Sequence, residues 1–337
     1  MVTGAAMGMG AKLAERLRVE GCHLALCDVD VAALEAVRAT CEAIAPPVGT
    51  VGALRVSVHR CDVSQRPQVA AFHAEVVGLH GARVSLLFNN AGIQVQQAFD
   101  RMSEVAFDRV MAVNLDGVVT MTRAFWPNLV AAADGAMVVN TSSVAGFLPP
   151  CGGISTPYAV SKYAVRGFSE HLMWQTRVTA PHVRVACVHP GAIQTQIVKA
   201  NDNLEAGALD IRVARRTMSG AEARRLDGMT PQQRLAHVRE RARWLFDTWG
   251  YSAEAAAGMI VDGVRAGQTR IMVGWDATIM DWWVRLFPRI FMSDAGTALV
   301  MLSSVVGRHF VLPATALAAA AAGYAYAKRG GGGRARL

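Results

Sequence analysis

Tyr158 and Lys162 stand four residues apart, at the end of a stretch that opens with Ser142 and Ser143. Together they could carry acid/base chemistry on an alcohol or a ketone. A phenol titrates at about pH 10 and is a poor base in neutral water, so a site that uses one must favour the phenolate. A nearby ammonium does so by opposite charge. On a helix, positions i and i+4 share a face, so both side chains can address one ligand, with Lys162 lowering the tyrosine pKa. A serine hydroxyl can then hydrogen-bond the substrate oxygen. The same spacing arises by chance on solvated helix faces, so the surrounding elements must decide.

Residues 136–141 form a short apolar run that reads as a buried strand delivering the two serines at its carboxyl end. In an open α/β sheet that edge is where ligands bind. At the other end of the chain, Met1-Val2 leads into Thr3-Gly4-Ala5-Ala6-Met7-Gly8-Met9-Gly10. Such a turn lets backbone approach a pyrophosphate and opens a helix, here with Leu13, Ala14 and Leu17 at helical spacing, whose first amides bind anions. Only the last residues of a strand precede it, and the natural chain is therefore expected to begin upstream of Met1, or this form to be less stable. The strand at 23–27 ends at Asp28, a carboxylate able to accept ribose hydroxyls and to repel a 2′-phosphate. Asp30 is its local competitor.

The remaining pattern alternates strands and helices. A helix is expected over 31–45, a strand over 54–58, and Asp62 as a cap for the helix from Gln65. Residues 84–88 read as a central parallel strand. Phe107, Val110, Met111 and Val113 space as a helix that Asn114 follows. A helix from Pro157 to about Thr179, a strand over 183–188 and a final strand over 270–273 complete the pattern.

With turn, helix, strand and acid in that order, and with Asn114, Ser143, Tyr158 and Lys162 downstream, the chain resembles the short-chain dehydrogenase/reductase family over about residues 1–275. The resemblance implies a catalytic set of Asn114, Ser143, Tyr158 and Lys162. Asn114 would distort its helix and hold a water that connects Lys162 to solvent. It further implies cofactor contacts from Thr3, Gly4, Gly8, Gly10, Asp28, Asp62, Val63, Asn90, Ala91, Gly92, Tyr158, Lys162, Pro190, Gly191, Ile193 and Thr195. In that assignment Asp62 meets the adenine amino group and Val63 packs on the ring. The Pro190-Gly191 turn lies beside the nicotinamide, with Ile193 backbone and the Thr195 hydroxyl at its carboxamide. Asp28, with no Arg or Lys directly after it, implies NAD rather than NADP. The Ser143 to Tyr158 spacing is longer than the family's usual one, through Pro149-Pro150-Cys151-Gly152-Gly153, which leaves the choice between Ser142 and Ser143 open. His189 reads as a spacer at its strand end.

Hydrophobic residues make up 52% of the chain, and the mean hydropathy is +0.25. That is rich for a protein bathed only in water. The six cysteines lack any C-x-x-C pair and read as core thiols in a reducing compartment. The formal charge of +8 is not interleaved with aromatics in one motif, so nucleic acid is not expected as a partner. No secretory n-region and h-region opens the chain.

The fold expected is α/β: a doubly wound Rossmann domain with a mainly parallel sheet of about seven strands, helices on both faces and a helical C-terminal extension. Residues 1–275 form the dinucleotide-binding and catalytic domain, with 196–251 a helical substrate lid. Residues 276–327 form an apolar helical extension, and 328–337 a basic Gly-rich tail. The expected function is NAD-dependent oxidation of a lipophilic secondary alcohol to a ketone, or the reverse, without a metal. The competing class is a catalytically silent dinucleotide sensor, which would need none of the four catalytic residues together. In the extension, Ile279, Trp282, Trp283, Leu286, Phe287 and Ile290 recur at helical spacing, and the uncharged run 310–327 precedes Lys328, Arg329, Arg334 and Arg336. The protein is expected to be a cytoplasmic homodimer or homotetramer, with membrane association through this extension.

Overall fold

The structure, a computed structural model, describes residues 1–50, 52–95, 97, 99–148, 155–195 and 220–286. Seven parallel strands make the central sheet: β1 (Val2–Thr3), β2 (Leu24–Asp28), β3 (Val56–Arg60), β4 (Leu86–Asn89), β5 (Ala136–Thr141), β6 (Val183–Pro190) and β9 (Arg270–Val273). Their order is β3-β2-β1-β4-β5-β6-β9. This is the doubly wound arrangement the sequence implies, with chain reversal at β1 and β4, the switch point where such sheets bind ligands. Two-residue strands β7 (Ile193–Gln194) and β8 (Tyr251–Ser252) form a separate parallel pair.

The strands are apolar on both faces because helices cover both. Leu24 and Leu26 of β2 join a core with Leu13 and Leu17 of α1 (Gly8–Val19), Leu34 and Val37 of α2 (Val31–Ala43), and Ile260 and Val264 of α9 (Ala253–Arg265). Ala25 and Cys27 face the opposite core. There Val69, Phe72 and Val76 of α3 (Arg66–His80) meet Met121, Phe125 and Leu129 of α5 (Gly117–Val130), with Leu172 and Met173 of α6 (Thr156–Thr179) at its margin. Helix α4 (Glu104–Met111) runs into α5 through a π-helical turn, Ala112–Asp116.

Strand β3 begins at Val56, two residues later than its apolar alternation suggests, where its register with β2 opens opposite Leu24, the first residue of that strand. Helix α2 ends at Ala43 ahead of Pro46-Pro47. Within the expected lid, α7 (Gly220–Asp227) and α8 (Pro231–Trp249) are helical, while 196–219 lie outside the described residues. The chain continues past β9 as α10 (Trp275–Leu286). The stripe expected here divides: Trp283 packs inward, beside Met280, on Phe147 and Leu148, while Trp282 and Leu286 are exposed, as is Trp275 outside the stripe. Phe287, Ile290, the run 310–327, the basic tail and the 149–153 loop lie outside the described residues, as does Cys151.

Candidate active site

Because all seven strands are parallel, the turns after β1, β2, β3, β4, β5 and β6 open on one edge of the sheet. Thr3 and Asn90 lock two of these turns together. The Thr3 hydroxyl accepts from the amides of Asn90 and Ala91, each at 3.0 Å, and the Asn90 side chain donates to the carbonyls of Thr3 at 3.1 Å and Gly4 at 3.2 Å. Gly10 permits the tight wrap of the glycine-rich turn, since a Cβ there would collide with the Gly4 carbonyl. Helix α1 starts at Gly8 without a side-chain cap for its first amides. Across from it, the Thr195 side chain comes to 3.4 Å from where a Cβ of Gly8 would stand. The glycine-rich turn and the turn after β6 therefore face one another.

The Asp28 carboxylate closes the rim, accepting from Ala6 N at 3.0 Å and Val29 N at 2.7 Å. Asp30, its competitor in the sequence, is used otherwise: it caps α2 through Ala33 N at 3.0 Å. Asp62 does not cap α3, whose N-cap is Gln65. Its side chain instead accepts from Ser64 N and Oγ and from the Arg109 guanidinium, at 3.0, 2.7 and 2.9 Å. Burial opposes its ionisation, but these hydrogen bonds outweigh that and hold the carboxyl below its usual range. The Val63 side chain is committed to the core against Gly117.

At the centre, the two serines divide their work. Ser142 Oγ donates to the Lys162 carbonyl at 2.8 Å and anchors α6 on the end of β5. Ser143 Oγ accepts from Ala145 N at 3.1 Å, and its hydroxyl is the side chain that favours the Tyr158 phenolate. The structure thus brings Ser143, and not Ser142, to the phenol. Lys162, 3% exposed, donates from Nζ to the Thr141 carbonyl at 2.8 Å, with Nζ 5.5 Å from the Tyr158 ring centroid. Burial pulls its pKa from 10.5 down to about 8, opposed by Cys187.

The expected lowering of Tyr158 by Lys162 is not found. Burial pushes the phenol up, and only the Ser143 hydrogen bond pulls the other way. Asn114 is fully buried in the π-helical turn, where its Oδ1 accepts from Ile93 N at 2.8 Å. Its Nδ2 donates to Ile93 O at 2.9 Å and to Ser161 Oγ at 3.0 Å. A π-turn inside a helix marks the distortion the resemblance implied. Gly92 comes against both Asn114 and Lys162, since a Cβ on it would lie 3.3 Å from Nζ and 3.4 Å from Asn114 Oδ1.

Three supporting residues gain partners that the sequence did not show: His189, read only as a spacer, Arg109, and Asn89 of the turn expected to support the sheet. His189 donates from Nδ1 to the Ser143 carbonyl at 3.1 Å and stacks edge-on to Phe147, and burial holds its pKa down at about 4. It pins the serine segment as a neutral ring. Arg109 joins Asp62 and Ser64 from α4. Asn89 donates to Thr122 and Asn140, and Asn140 to Ser169, a buried polar seam that joins β4 and β5 to α5 and α6. Asn89 lies beside the quoted Asn90 turn; the other two partnerships bridge segments far apart in sequence and left no local signal.

Residues 1–205 match the family described as short chain dehydrogenase. The chain is similar to a putative oxidoreductase, SadH, of Mycobacterium tuberculosis, 34% identical over 286 residues that cover 85% of this chain and 89% of that protein. It is also similar to a mouse (3R)-3-hydroxyacyl-CoA dehydrogenase, 33% identical over 59% of this chain and 75% of the relative. Among solved structures, a short chain dehydrogenase/reductase from Burkholderia phymatum in complex with NAD superposes with a TM-score of 0.65 at 26% identity, covering 93% of this chain and 95% of the other. A Sphingobium yanoikuyae short-chain dehydrogenase in complex with NADPH, 20% identical with a TM-score of 0.59 over 85% of this chain and 93% of that one, shares the fold.

Proposed function

The chain belongs to the short-chain dehydrogenase/reductase family of oxidoreductases, and from that premise we propose that it oxidises a secondary alcohol to a ketone, or runs the reverse reaction, with NAD as its preferred cofactor. The observation that carries the reading is the buried Lys162 Nζ, fixed on the Thr141 carbonyl, 5.5 Å from the Tyr158 ring centroid, with the Ser143 hydroxyl acting on the same phenol. Tyr158 takes the hydroxyl proton in the oxidative direction and returns it in the reductive one. Ser143 holds the substrate oxygen. Lys162, charged below its pKa of about 8, stands beside the phenol ring and reaches the nicotinamide ribose. Asn114 completes the proton path from Lys162 toward solvent, its amide already set by Ile93 and Ser161.

A dinucleotide fits the residues present. The uncapped α1 amides suit a pyrophosphate, Gly8 and Thr195 flank the same space, and the Asp28 carboxylate stands on the rim where ribose hydroxyls would donate to it. When bound, the nicotinamide supplies the hydride acceptor, or the donor in reverse. Thr3, Gly4, Gly10, Asn90, Ala91 and Gly92 shape the floor, Asp62 and the Val63 backbone the adenine end, and Pro190, Gly191, Ile193 and Thr195 the nicotinamide end.

A lipophilic substrate is supported by the apolar cluster that follows Ser143, in which Val144, Phe147 and Leu148 pack with Met280, Trp283 and Val284. The exposed Trp275, Trp282 and Leu286 on α10 support membrane association; among the described residues no helix is long and apolar enough to cross a membrane. Val160, Tyr163, Trp174 and Val178 lie exposed at helical spacing along α6 and suit a second copy of the chain. The test is NADH absorbance with purified protein and secondary alcohols graded by chain length and polarity. Turnover that rises with chain length supports the reading, and none with any alcohol or ketone removes it.

A further inference from the structure

Asp276 lies in the first turn of α10, beyond the residues the family match covers, yet it reaches into the cofactor edge. Its Oδ2 accepts from Ala192 N at 2.7 Å. The fit is close enough that a Cβ on Gly191 would collide with both carboxylate oxygens, and a Cβ on Gly274 with Oδ1. The carboxylate therefore fills the space between two glycines, one in the turn after β6 and one in the turn after β9. Neighbouring backbone completes the clamp: Gly191 N donates to Val273 O at 3.0 Å, Tyr251 N to Ala192 O at 2.8 Å, and Trp275 N to Tyr251 Oη at 3.2 Å. From Ala192 the backbone runs through β7 to Thr195, the residue that faces Gly8.

We infer that Asp276 is a positioning residue for the cofactor: it fixes the Gly191–Ala192 backbone, and through it Ile193 and Thr195, against the glycine-rich turn. The inference rests on the reading that this turn lines the nicotinamide. Burial pushes the Asp276 carboxyl up, while the hydrogen bond from Ala192 and the nearby amides at the start of α10 pull it down. An anion is favoured at a helix N-terminus, and its hydrogen bond to an amide is stronger than a neutral pair. The first turn of α10 is thereby coupled to the cofactor half of the site, and its Met280 and Trp283 to the segment after Ser143.

The experiment compares the full chain with Asp276→Ala, Asp276→Asn, Gly191→Ala and the Gly191→Ala/Asp276→Ala double variant. It reads KM for NAD, KM for the alcohol, kcat, and direct binding of NADH by fluorescence titration. Loss of a charge-assisted hydrogen bond is expected to raise KM for NAD in Asp276→Ala about tenfold or more, with KM for the alcohol nearly unchanged. Asp276→Asn keeps an oxygen for Ala192 N and is expected to recover most of that loss. Gly191→Ala is expected to be far more damaging alone than beside Asp276→Ala, where the colliding oxygens are gone. A folded Asp276→Ala with wild-type KM for NAD would overturn the inference, as would equal damage from Gly191→Ala in both backgrounds. Should Asp276→Ala fail to fold, Asp276→Ser is too short to reach Ala192 N and makes the same comparison with Asp276→Asn: unequal KM values support the inference and equal ones overturn it. Failure of the wild type to bind NADH would instead remove the functional reading beneath it.

Discussion

The Lys162 ammonium is tied to the Thr141 carbonyl at 2.8 Å, and the Lys162 carbonyl in turn accepts from Ser142 Oγ at 2.8 Å. One residue of α6 is thus fastened twice to the end of β5, which sets the helix in register with the strand and brings Tyr158 over Ser143. The charge is held at a cost, because burial lowers its pKa to about 8.

That cost has a pH signature. The unfolded chain binds more protons than the native one between about pH 8 and 10.5, so the stability of the native state rises with pH across that window. The full span is worth roughly 3 kcal/mol. Thermal melts from pH 7 to 10.5 are expected to lose this upward contribution in Lys162→Met, and an identical profile in both proteins would contradict it.

His189 gives the acid counterpart. Its pKa of about 4 against an ordinary 6.5 means that the unfolded state binds the extra proton between those values, so stability falls as pH drops through the window. In His189→Gln, melts from pH 7 to pH 4 are expected to show a shallower decline, together with a lower kcat from the loosened Ser143 carbonyl. A decline as steep as the wild type's would refute the role of the buried ring.

Cofactor choice is predicted from Asp28. A 2′-phosphate beside this carboxylate meets repulsion on the order of a few kcal/mol. Steady-state kinetics should give the higher kcat/KM with NAD, and Asp28→Asn should shift the ratio toward NADP about tenfold or more. A wild-type preference for NADP would overturn the assignment.

The ion pair of Arg270 with Asp281 fastens α10 to β9, and the Arg270 guanidinium lies 5.4 Å from the Phe147 ring centroid. Asp281→Ala is expected to destabilise the protein by about 1 to 2 kcal/mol, less than for an uncompensated buried charge, because Arg270 keeps its ion pair with Glu170 and both partners keep some contact with solvent. Urea titration measures this, and a change below about 0.5 kcal/mol, the scale of an ordinary surface substitution, would mean that the pair is not holding the helix.

What could be read from the sequence was local. Apolar runs such as 84–88 and 136–141 marked buried strands, and their order with the intervening helices implied the seven-stranded sheet. The glycine-rich turn and the Tyr158/Lys162 spacing marked the edge at which the site forms. What could not be read was pairing between distant segments. The roles of Ser142 and Ser143 separate only because Ser142 meets the Lys162 backbone. Asp62 looked like a cap for the following helix until Arg109 arrived from α4. The two-residue strands β7 and β8 are too short to leave a periodicity, and Asp276 finds Ala192 across 84 positions of chain. Burial also reversed the expected direction for Tyr158, since charge attraction is legible from spacing and desolvation is not.

The central claim, that Tyr158 moves the proton while hydride passes to or from a nicotinamide, is tested most directly by NADH absorbance with the best alcohol of the graded series, comparing wild type with Tyr158→Phe. The phenylalanine keeps the ring and removes only the hydroxyl. We predict a fall in kcat of about 10²- to 10⁴-fold, with KM for NAD and the melting temperature nearly unchanged. Equal turnover in the two proteins would contradict the account.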